Sequence, residues 1–206
     1  MLEIQYRMTE EIGSYISDTF YDGKLKNGAG TRTCGISNIR SAVSWMDSGD
    51  SKQEQGKNKK SYKNANEIEM ILGFLKAADV QLTEEKSVGI ICYYRLQADE
   101  IEKRIKQISY KHLHIECGTI NGFQGKEKDW IVVNVVRTEG YTRFIEDENR
   151  LNVAMSRARE LSLIVGSVSY VKNKHYTLLE HVYYYAKERG GIQSGMVYRT
   201  RSAELA

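Results

Sequence analysis

Apolar residues recur along this chain with two different spacings, which predict helices that alternate with buried strands. Ile68, Ile71, Leu72 and Leu75 are spaced as one face of an amphipathic helix. Residues 130–136 form an almost uniformly apolar run, which is typical of a strand covered on both faces. The patterns predict helices at 10–20, 66–78, 95–108 and 176–189, and strands at 41–46, 87–92, 115–120, 130–136 and 161–165. This alternation favours an α/β fold with a doubly wound, mostly parallel sheet flanked by helices.

The 206 residues suffice for one large domain or two small ones, and the interpretation reached below is one domain over residues 1–206. With 41% hydrophobic residues the chain can bury a proper core, whereas residues 47–64 are polar and lysine-rich and are expected to form a flexible surface loop. The formal net charge of +3 is too small to indicate a nucleic-acid-binding protein, so any basic surface must be local. Three widely spaced cysteines argue against a disulfide framework, and the chain lacks an apolar run of membrane-spanning length. These features predict a soluble protein of the cytoplasm.

Residues 149–159 (NRLNVAMSRAR) predict a short helix that ends in two arginines and leads into the strand at 161–165. Such a helix can hold a guanidinium at the edge of a sheet, where it meets the negative charge that develops on a transferring phosphoryl group. The alternative is a solvated arginine pair at a helix C-terminus, where cations favour the helix dipole. On a helix Arg159 lies about 200° around the axis from Arg157, so Arg159 is expected to point away from the group that Arg157 meets.

Residues 119–129 (TINGFQGKEKD) connect two predicted strands and carry several groups that suit a ligand. The glycines allow a tight turn and a close approach of the backbone, while Thr119, Asn121 and Gln124 offer hydrogen bonds. Glu127 can accept a hydrogen bond from a sugar hydroxyl. The segment follows a strand, which is where open α/β sheets bind ligands. A plain glycine-rich turn is the alternative interpretation.

Four segments, in their order along the chain, resemble the motifs of the second, C-terminal RecA-like domain of superfamily 1 helicases. They are Gln5 to Met8 (QYRM), Val88 to Gln97 (VGIICYYRLQ), Thr119 to Asp129 (TINGFQGKEKD) and Leu151 to Arg159 (LNVAMSRAR). The resemblance is to the superfamily 1B branch, which includes the nonsense-mediated-decay helicase and senataxin. It extends over residues 2–168 and implies a RecA-like fold of the P-loop NTPase superfamily.

For the nucleotide, the resemblance implies roles at both ends of the chain. Tyr6 would stack on the adenine of ATP, and Gln5 would lie near the phosphates. Arg7 and Arg157 would reach the γ-phosphate across a cleft as arginine fingers. The alternative for Tyr6 is an aromatic residue of the core, since tyrosine is often partly buried.

The segment 119–129 would contact both the nucleotide and the nucleic acid. The resemblance implies that Glu127 binds the ribose and that Gly125 lets the backbone approach the nucleotide. Thr119, Asn121 and the loop around Tyr94 would contact single-stranded DNA or RNA, mainly through its backbone.

The sequence lacks the motifs that complete an ATP site. Gly125-Lys126 is followed by Glu127 and Gly23-Lys24 by Leu25, so neither pair fits a P-loop lysine followed by a magnesium-binding hydroxyl. No Asp-Glu pair follows a buried strand to hold magnesium, since Asp147-Glu148 lies in a polar stretch. This chain is therefore expected to provide one wall of a site for ATP and Mg²⁺, with the other wall from an N-terminal RecA-like domain encoded upstream.

The interpretation is the C-terminal motor domain of an ATP-dependent helicase or translocase, and the resemblance suggests 5′-to-3′ movement. The protein is expected to be a monomer. This fragment alone is expected to be inactive, because it lacks a P-loop. A non-catalytic module that binds nucleic acid or protein and retains the fold is the alternative. Arg7, Glu127 and Arg157 argue against it, because a binding module needs no γ-phosphate sensors. His112, His114 and Cys117 lack a fourth ligand nearby, so no metal site is predicted within the chain.

Overall fold

The computed structural model describes residues 4–28, 34–57, 60–123 and 125–194. Its strands are β1 (Ile4–Gln5), β2 (Lys26–Asn27), β3 (Val43–Asp47), β4 (Glu54–Gln55), β5 (Tyr62–Lys63), β6 (Lys86–Cys92), β7 (Leu113–Thr119), β8 (Lys128–Asn134), β9 (Ala158–Gly166) and β10 (Ile192–Ser194). Its α-helices are α1 (Glu10–Phe20), α2 (Ala65–Gln81), α3 (Arg95–Ile105), α4 (Glu148–Met155), α5 (Val168–Asn173) and α6 (Thr177–Glu188). None of these described helices is long and apolar enough to cross a membrane.

Six strands form one parallel sheet in the order β10-β3-β9-β8-β6-β7. The predicted α/β fold with a parallel sheet is confirmed. β8 and β9 occupy the middle of the sheet and are buried along most of their length, which explains their uniformly apolar sequences. The short strands pair separately, β1 with β2 and β4 with β5.

Helices cover both faces of the sheet and bury two apolar cores. On one face α1, α4 and α6 pack over a core that contains Tyr15, Trp45 and Leu151. On the other face α2 and α3 pack over a core that contains Phe74 and Trp130. The result is three layers, helix–sheet–helix, as the alternating apolar pattern predicts.

The structure corrects the prediction that residues 149–159 end in a helix carrying both arginines. Helix α4 ends at Met155 and β9 begins at Ala158, so Arg157 lies in a short connection and Arg159 lies in a strand. The backbone groups that a longer helix would use have partners elsewhere. The carbonyl of Arg157 accepts from the amide of Lys128 at 3.0 Å, and that of Arg159 accepts from the amide of Thr9 at 2.8 Å.

The segment 47–64 contains more structure than its lysine-rich composition predicts. β4 and β5 form a short antiparallel hairpin, and the side chains of Ser51 and Asn64 at its two ends are buried. Residues 58 and 59 lie outside the described part of the chain. α5 and β10 were not predicted either.

A buried carboxylate links the first turn of α2 to the end of β8. Glu67 is fully buried, and its Oε2 accepts from Nδ2 of Asn134 at 2.5 Å and from the amide of Val136 at 3.0 Å. Ser48 donates to its Oε1 at 2.9 Å. Burial raises the pKa of Glu67 from 4.5 to about 7, since these three hydrogen bonds only partly offset the loss of hydration and Asp47 adds repulsion.

The free energy of unfolding is therefore expected to fall as the pH rises, because Glu67 loses its proton. The contribution of its proton is fully present below the unfolded-state pKa of 4.5 and is lost as the pH rises through about 7. Glu67→Gln keeps an acceptor for Asn134 and Val136 but cannot ionise. Denaturant titration would measure the free energy of unfolding of this variant minus that of the wild type. The difference should increase by about 2–3 kcal/mol from about pH 5 to about pH 8.

Glu69→Gln is the matched control for that titration. Glu69 lies on the same helix and forms a half-exposed ion pair with Arg104 at 2.8 Å. Its effect should be small at every pH, because exposed ion pairs contribute about 0–1 kcal/mol. Parallel pH curves for the wild type and Glu67→Gln would show that Glu67 does not titrate in this range.

Candidate functional site

Two clefts lie at opposite ends of the central strands. The amino-end cleft, of about 480 Å³, lies beside the residues that precede β9, and its lining includes Gln5, Tyr6, Arg7, Tyr21, Ser156 and Arg157. The carboxyl-end groove, of about 660 Å³, lies where β6, β7 and β8 end, and its lining includes Tyr62, Tyr94, Thr119, Asn121, Arg137 and Arg150. The seven residues of β8 span about 23 Å between these two ends of the sheet.

Gln5 shapes the turn that carries Tyr6 and Arg7. Its Oε1 accepts from the amides of Arg7 at 2.9 Å and Met8 at 2.8 Å, and its Nε2 donates to Oδ1 of Asn27 at 2.6 Å. Both ends of the amide are thus engaged within the chain. Gln5 lines the amino-end cleft and braces the turn.

Tyr6 presents its ring to solvent. The residue is 70% exposed, so it is not the core aromatic that was the alternative interpretation. Its ring lies over Gly28, where a Cβ would approach the ring to 2.2 Å. A larger residue at 28 would displace the ring, and the present arrangement leaves an aromatic surface open to a planar ligand.

Arg7 connects the turn to the end of α4 and to Glu127. Its Nη1 donates to the carbonyl of Ser156 at 3.1 Å, and its Nη2 lies 2.5 Å from Oε1 of Glu127. Burial acts to raise the pKa of Glu127, but Arg7 and then Arg159 outweigh it and hold that pKa below its ordinary value. Glu127 is therefore a carboxylate at neutral pH, shared between two guanidinium groups.

Arg157 lies in the same cleft with a different environment. Its Nε is buried and has no hydrogen-bond partner within the described residues. Burial lowers the pKa of Arg157, and the cation of Arg7 lowers it further. Glu127, which is paired with Arg7, only partly offsets this lowering. The two guanidinium groups therefore repel each other, and an anion bound in the cleft would relieve this repulsion.

Arg159 is not among the residues that line the amino-end cleft, but the helix on which that prediction relied is absent. Because it lies in β9 rather than on a helix, its Nη2 reaches Oε2 of Glu127 at 3.4 Å and its Nη1 reaches Oδ1 of Asp129 at 3.5 Å. Asp129 is held in turn by the amide of Ser87 at 2.8 Å. Arg159 thus belongs to the charged group around Glu127, although it does not line the cleft.

The segment 119–129 is divided between the two clefts. Thr119 ends β7 and Asn121 follows it at the carboxyl-end groove, whereas Glu127 lies at the amino end beside Arg7. Gly125 between them has a φ of +82°, a backbone conformation that glycine adopts without strain. No described atom lies within 4 Å of where its Cβ would be. Gln124 lies outside the described residues.

The carboxyl-end groove brings together the three residues predicted to contact nucleic acid, Tyr94, Thr119 and Asn121. They come from three segments, the start of α3, the end of β7 and the connection that follows it. Their proximity follows from the parallel sheet, because the carboxyl ends of neighbouring strands meet at one edge.

Several further residues that were not predicted as site residues share this groove. They are aromatic and cationic: Tyr62 from the β4–β5 hairpin, Arg137 after β8, and Phe144 and Arg150 near α4. Arg150 lies 4.2 Å from the ring centroid of Phe144, and Arg137 lies 4.1 Å from that of Tyr62. Arg137 had a usable signal, since it directly follows an apolar strand, whereas Tyr62 was obscured by the polar residues around it.

Neither cleft provides a complete metal site. Within the described part of the chain, no three His, Cys, Asp or Glu side chains form a group that could hold a metal ion. The amino-end cleft offers arginines and an aromatic ring, which suit phosphate and base, but it offers no set of oxygen ligands for Mg²⁺. The residues present fit part of a nucleotide.

Comparisons with known proteins identify the family. A family model described as an AAA domain matches residues 1–169. Helicase SEN1 of Saccharomyces cerevisiae is 31% identical over 183 residues, which are 81% of this chain and 8% of that protein. DNA polymerase alpha-associated DNA helicase A of Saccharomyces cerevisiae is 30% identical over 187 residues, with 81% of this chain and 27% of that protein covered.

A third relative, the 5′-3′ DNA helicase ZGRF1 of Mus musculus, is 30% identical over 177 residues, which are 82% of this chain and 9% of that protein. The chain thus spans less than a third of the length of each of these relatives. Most of its length matches the family model, and the matched segment contains all four motifs. The chain therefore belongs to this AAA-domain family, as a C-terminal domain of the superfamily 1B helicase type.

Proposed function

We propose that this chain is the C-terminal motor domain of an ATP-dependent helicase, with Arg7 and Arg157 as arginine fingers. The observation that carries the proposal is the meeting of two guanidinium groups from distant segments in one cleft. Arg7 is held there by the carbonyl of Ser156, 149 residues away in sequence. Arginines in this position stabilise the charge that spreads over the γ-phosphoryl group during transfer.

The rest of the amino-end cleft would bind the nucleoside. The exposed ring of Tyr6 would stack on adenine, Gln5 would hold the turn, and Gly125 would allow the backbone to approach. Glu127 and Arg7 are each about one-third exposed at their ion pair, so that pair is weak and easily exchanged. On nucleotide binding Arg7 would leave Glu127 for the γ-phosphate, and Glu127 would accept from the ribose.

The carboxyl-end groove would hold a single strand of DNA or RNA. Its lining contains four aromatic and four cationic side chains and no acidic one among the described residues. Rings suit stacking with bases, and cations suit the phosphate backbone, in a manner largely independent of sequence. Tyr94, Thr119 and Asn121 would contact the strand. We also propose 5′-to-3′ movement, the direction for which the relative ZGRF1, a 5′-3′ DNA helicase, is named.

The missing components would come from an N-terminal RecA-like domain of the same protein. That domain would supply the P-loop and the ligands for Mg²⁺, which would help to neutralise the negative charge of the phosphates. This chain supplies the opposite wall. Closure of the two domains on ATP and opening after hydrolysis would alternate the grip on the strand.

The proposal is tested by measuring ATP hydrolysis with and without single strands. The purified 206-residue chain should show no turnover above background. The same chain joined to its natural upstream sequence should hydrolyse ATP, and single strands should stimulate it. Robust turnover by the chain alone would contradict the proposal that this chain provides only one wall of the ATP site. Strand binding without any turnover in the joined protein would instead identify a non-catalytic module.

A further inference from the structure

The chain makes a strained turn immediately after β8. The amide of Arg137 donates to the carbonyl of Val135 at 2.9 Å, two residues back, and Val136 between them has a φ of +72°. This is a γ-turn of the rare kind with positive φ at its centre. A β-branched residue in that conformation is a true outlier, and such strain persists only where the surroundings impose it.

Two side chains hold the backbone of Val136 in this conformation: Glu67 in the first turn of α2, and Asn64, the residue before α2. Oε2 of Glu67 accepts from the amide of Val136 at 3.0 Å and from Asn134 at 2.5 Å. Nδ2 of Asn64, the N-cap of α2, lies 3.4 Å from the carbonyl of Val136. Both polar groups of the strained peptide unit are thus held by buried side chains.

The turn directs Arg137 into the wall of the carboxyl-end groove. Its guanidinium stacks 4.1 Å from the ring centroid of Tyr62, and its Nη1 lies 3.4 Å from the hydroxyl of Tyr94. Its Nε and Nη2 donate to the carbonyl of Glu139 at 3.1 and 2.7 Å. Gly140 leaves the necessary space, because a Cβ there would lie 2.6 Å from Nη2 of Arg137. The head group is therefore fixed rather than free to rotate.

Arg137 differs from the other arginines of the groove in its charge balance. Arg95 pairs with Asp99 at 2.7 Å, and Arg150 pairs with Asp147 at 3.2 Å. No carboxylate of the described residues forms an ion pair with Arg137. Arg137 is only 8% exposed but lines the groove. Its neighbours are a ring, a phenol and a carbonyl, which orient the guanidinium without neutralising its charge.

We propose that Arg137 is a further nucleic-acid-binding residue, which contacts a backbone phosphate of the single strand, and that Glu67 is a positioning residue that holds its turn. Tyr62 supports the guanidinium from the hairpin side. The proposal rests on the proposed role of the groove. It adds a fixed cationic contact from the end of β8 to the contacts expected from Tyr94, Thr119 and Asn121.

Salt dependence of binding tests this contact directly. Fluorescence anisotropy of labelled oligothymidylate and oligouridylate would be measured with the purified chain over a series of sodium chloride concentrations. Loss of one phosphate contact should reduce the slope of log K against log salt by about 0.7 for a single strand. Arg137→Ala should therefore bind several-fold more weakly and with that smaller slope. Arg137→Lys should keep the wild-type slope, because it keeps the charge.

Two further variants separate the charge from its support. Arg104→Ala, which removes an arginine that pairs with Glu69 away from the groove, should leave affinity and slope unchanged. Tyr62→Leu should weaken binding but preserve the slope. Glu67→Gln retains the acceptors and should bind as the wild type, whereas Glu67→Ala should bind as Arg137→Ala. Circular dichroism confirms folding of each variant, and the Arg137 variants decide the question if Glu67→Ala does not fold.

The outcomes distinguish this inference from the function on which it rests. If the wild-type chain binds neither oligonucleotide at low salt, the proposed groove and the Arg137 contact both fail. If the wild type binds and Arg137→Ala has the same affinity and slope, only the Arg137 contact is overturned. A reduced slope in Arg104→Ala would show that the slope reports total charge rather than a contact, which also overturns it.

Discussion

Replacing Arg157 with alanine is expected to lower kcat for ATP hydrolysis by about 10³–10⁵-fold in the chain joined to its upstream domain. The reason is the position of this guanidinium, because Arg157 lines the amino-end cleft together with Arg7. There it would stabilise a γ-phosphoryl group, most strongly as charge develops in the transition state. Single-strand affinity should change little, since the groove lies at the other end of the strands.

Arg157→Lys should recover little of the activity, because an ammonium group lacks the planar fork that spans two phosphate oxygens. Arg104→Ala serves as the control, since Arg104 forms an exposed pair with Glu69 on α2, away from both clefts. Its kcat should equal that of the wild type. Full activity in Arg157→Ala would show that Arg157 does not act on the γ-phosphate.

The architecture of this domain could largely be predicted from the sequence, because the apolar spacing is a local property. Helix α1 has the predicted bounds, Glu10–Phe20, and the central strands differ from prediction by a few residues. The order of strands could not be predicted, since it depends on contacts between distant segments. β3 pairs with β9 and β10, which follow it by more than 100 residues.

The arginines show where local patterns fail. Residues 149–159 have a helical apolar pattern, yet Lys128 donates to the carbonyl of residue 157 in a turn, and Thr9 donates to that of residue 159 in a strand. The side chain of Arg159 consequently reaches Glu127, and the expected division of labour between two helix faces does not exist. Thr9 and Lys128 are distant from Arg159 in the sequence, so a local pattern around Arg159 cannot reveal these hydrogen bonds.

The candidate groove shows a second limit. Its three predicted residues were found through motif resemblance, and the parallel sheet brings them together. Arg137 and Tyr62 are contributed by a strained turn and by a hairpin, and neither feature has a periodic signal. The turn depends on Glu67, a residue that the apolar pattern treats as one more polar position on α2.

Arg7→Ala should lower kcat in the joined protein by about 10³-fold or more, because it removes the second guanidinium from the same cleft. The double variant Arg7→Ala/Arg157→Ala should be at most about tenfold slower than the slower single variant, since groups that act as a unit are strongly non-additive. Single-turnover measurement of phosphate release would give these rates without interference from product release.

The Arg7 variant also leaves Glu127 without its 2.5 Å partner, so loss of the finger must be separated from release of a carboxylate into the cleft. Arg7→Ala/Glu127→Gln makes that separation, because it removes the finger together with the negative charge of Glu127, which only Arg159 would still pair among the described residues. If the finger is the cause, this double variant should remain as slow as Arg7→Ala. Recovery towards the wild-type rate would mean that Arg7 serves to neutralise Glu127, and losses that multiply in Arg7→Ala/Arg157→Ala would mean that the two arginines act on separate steps.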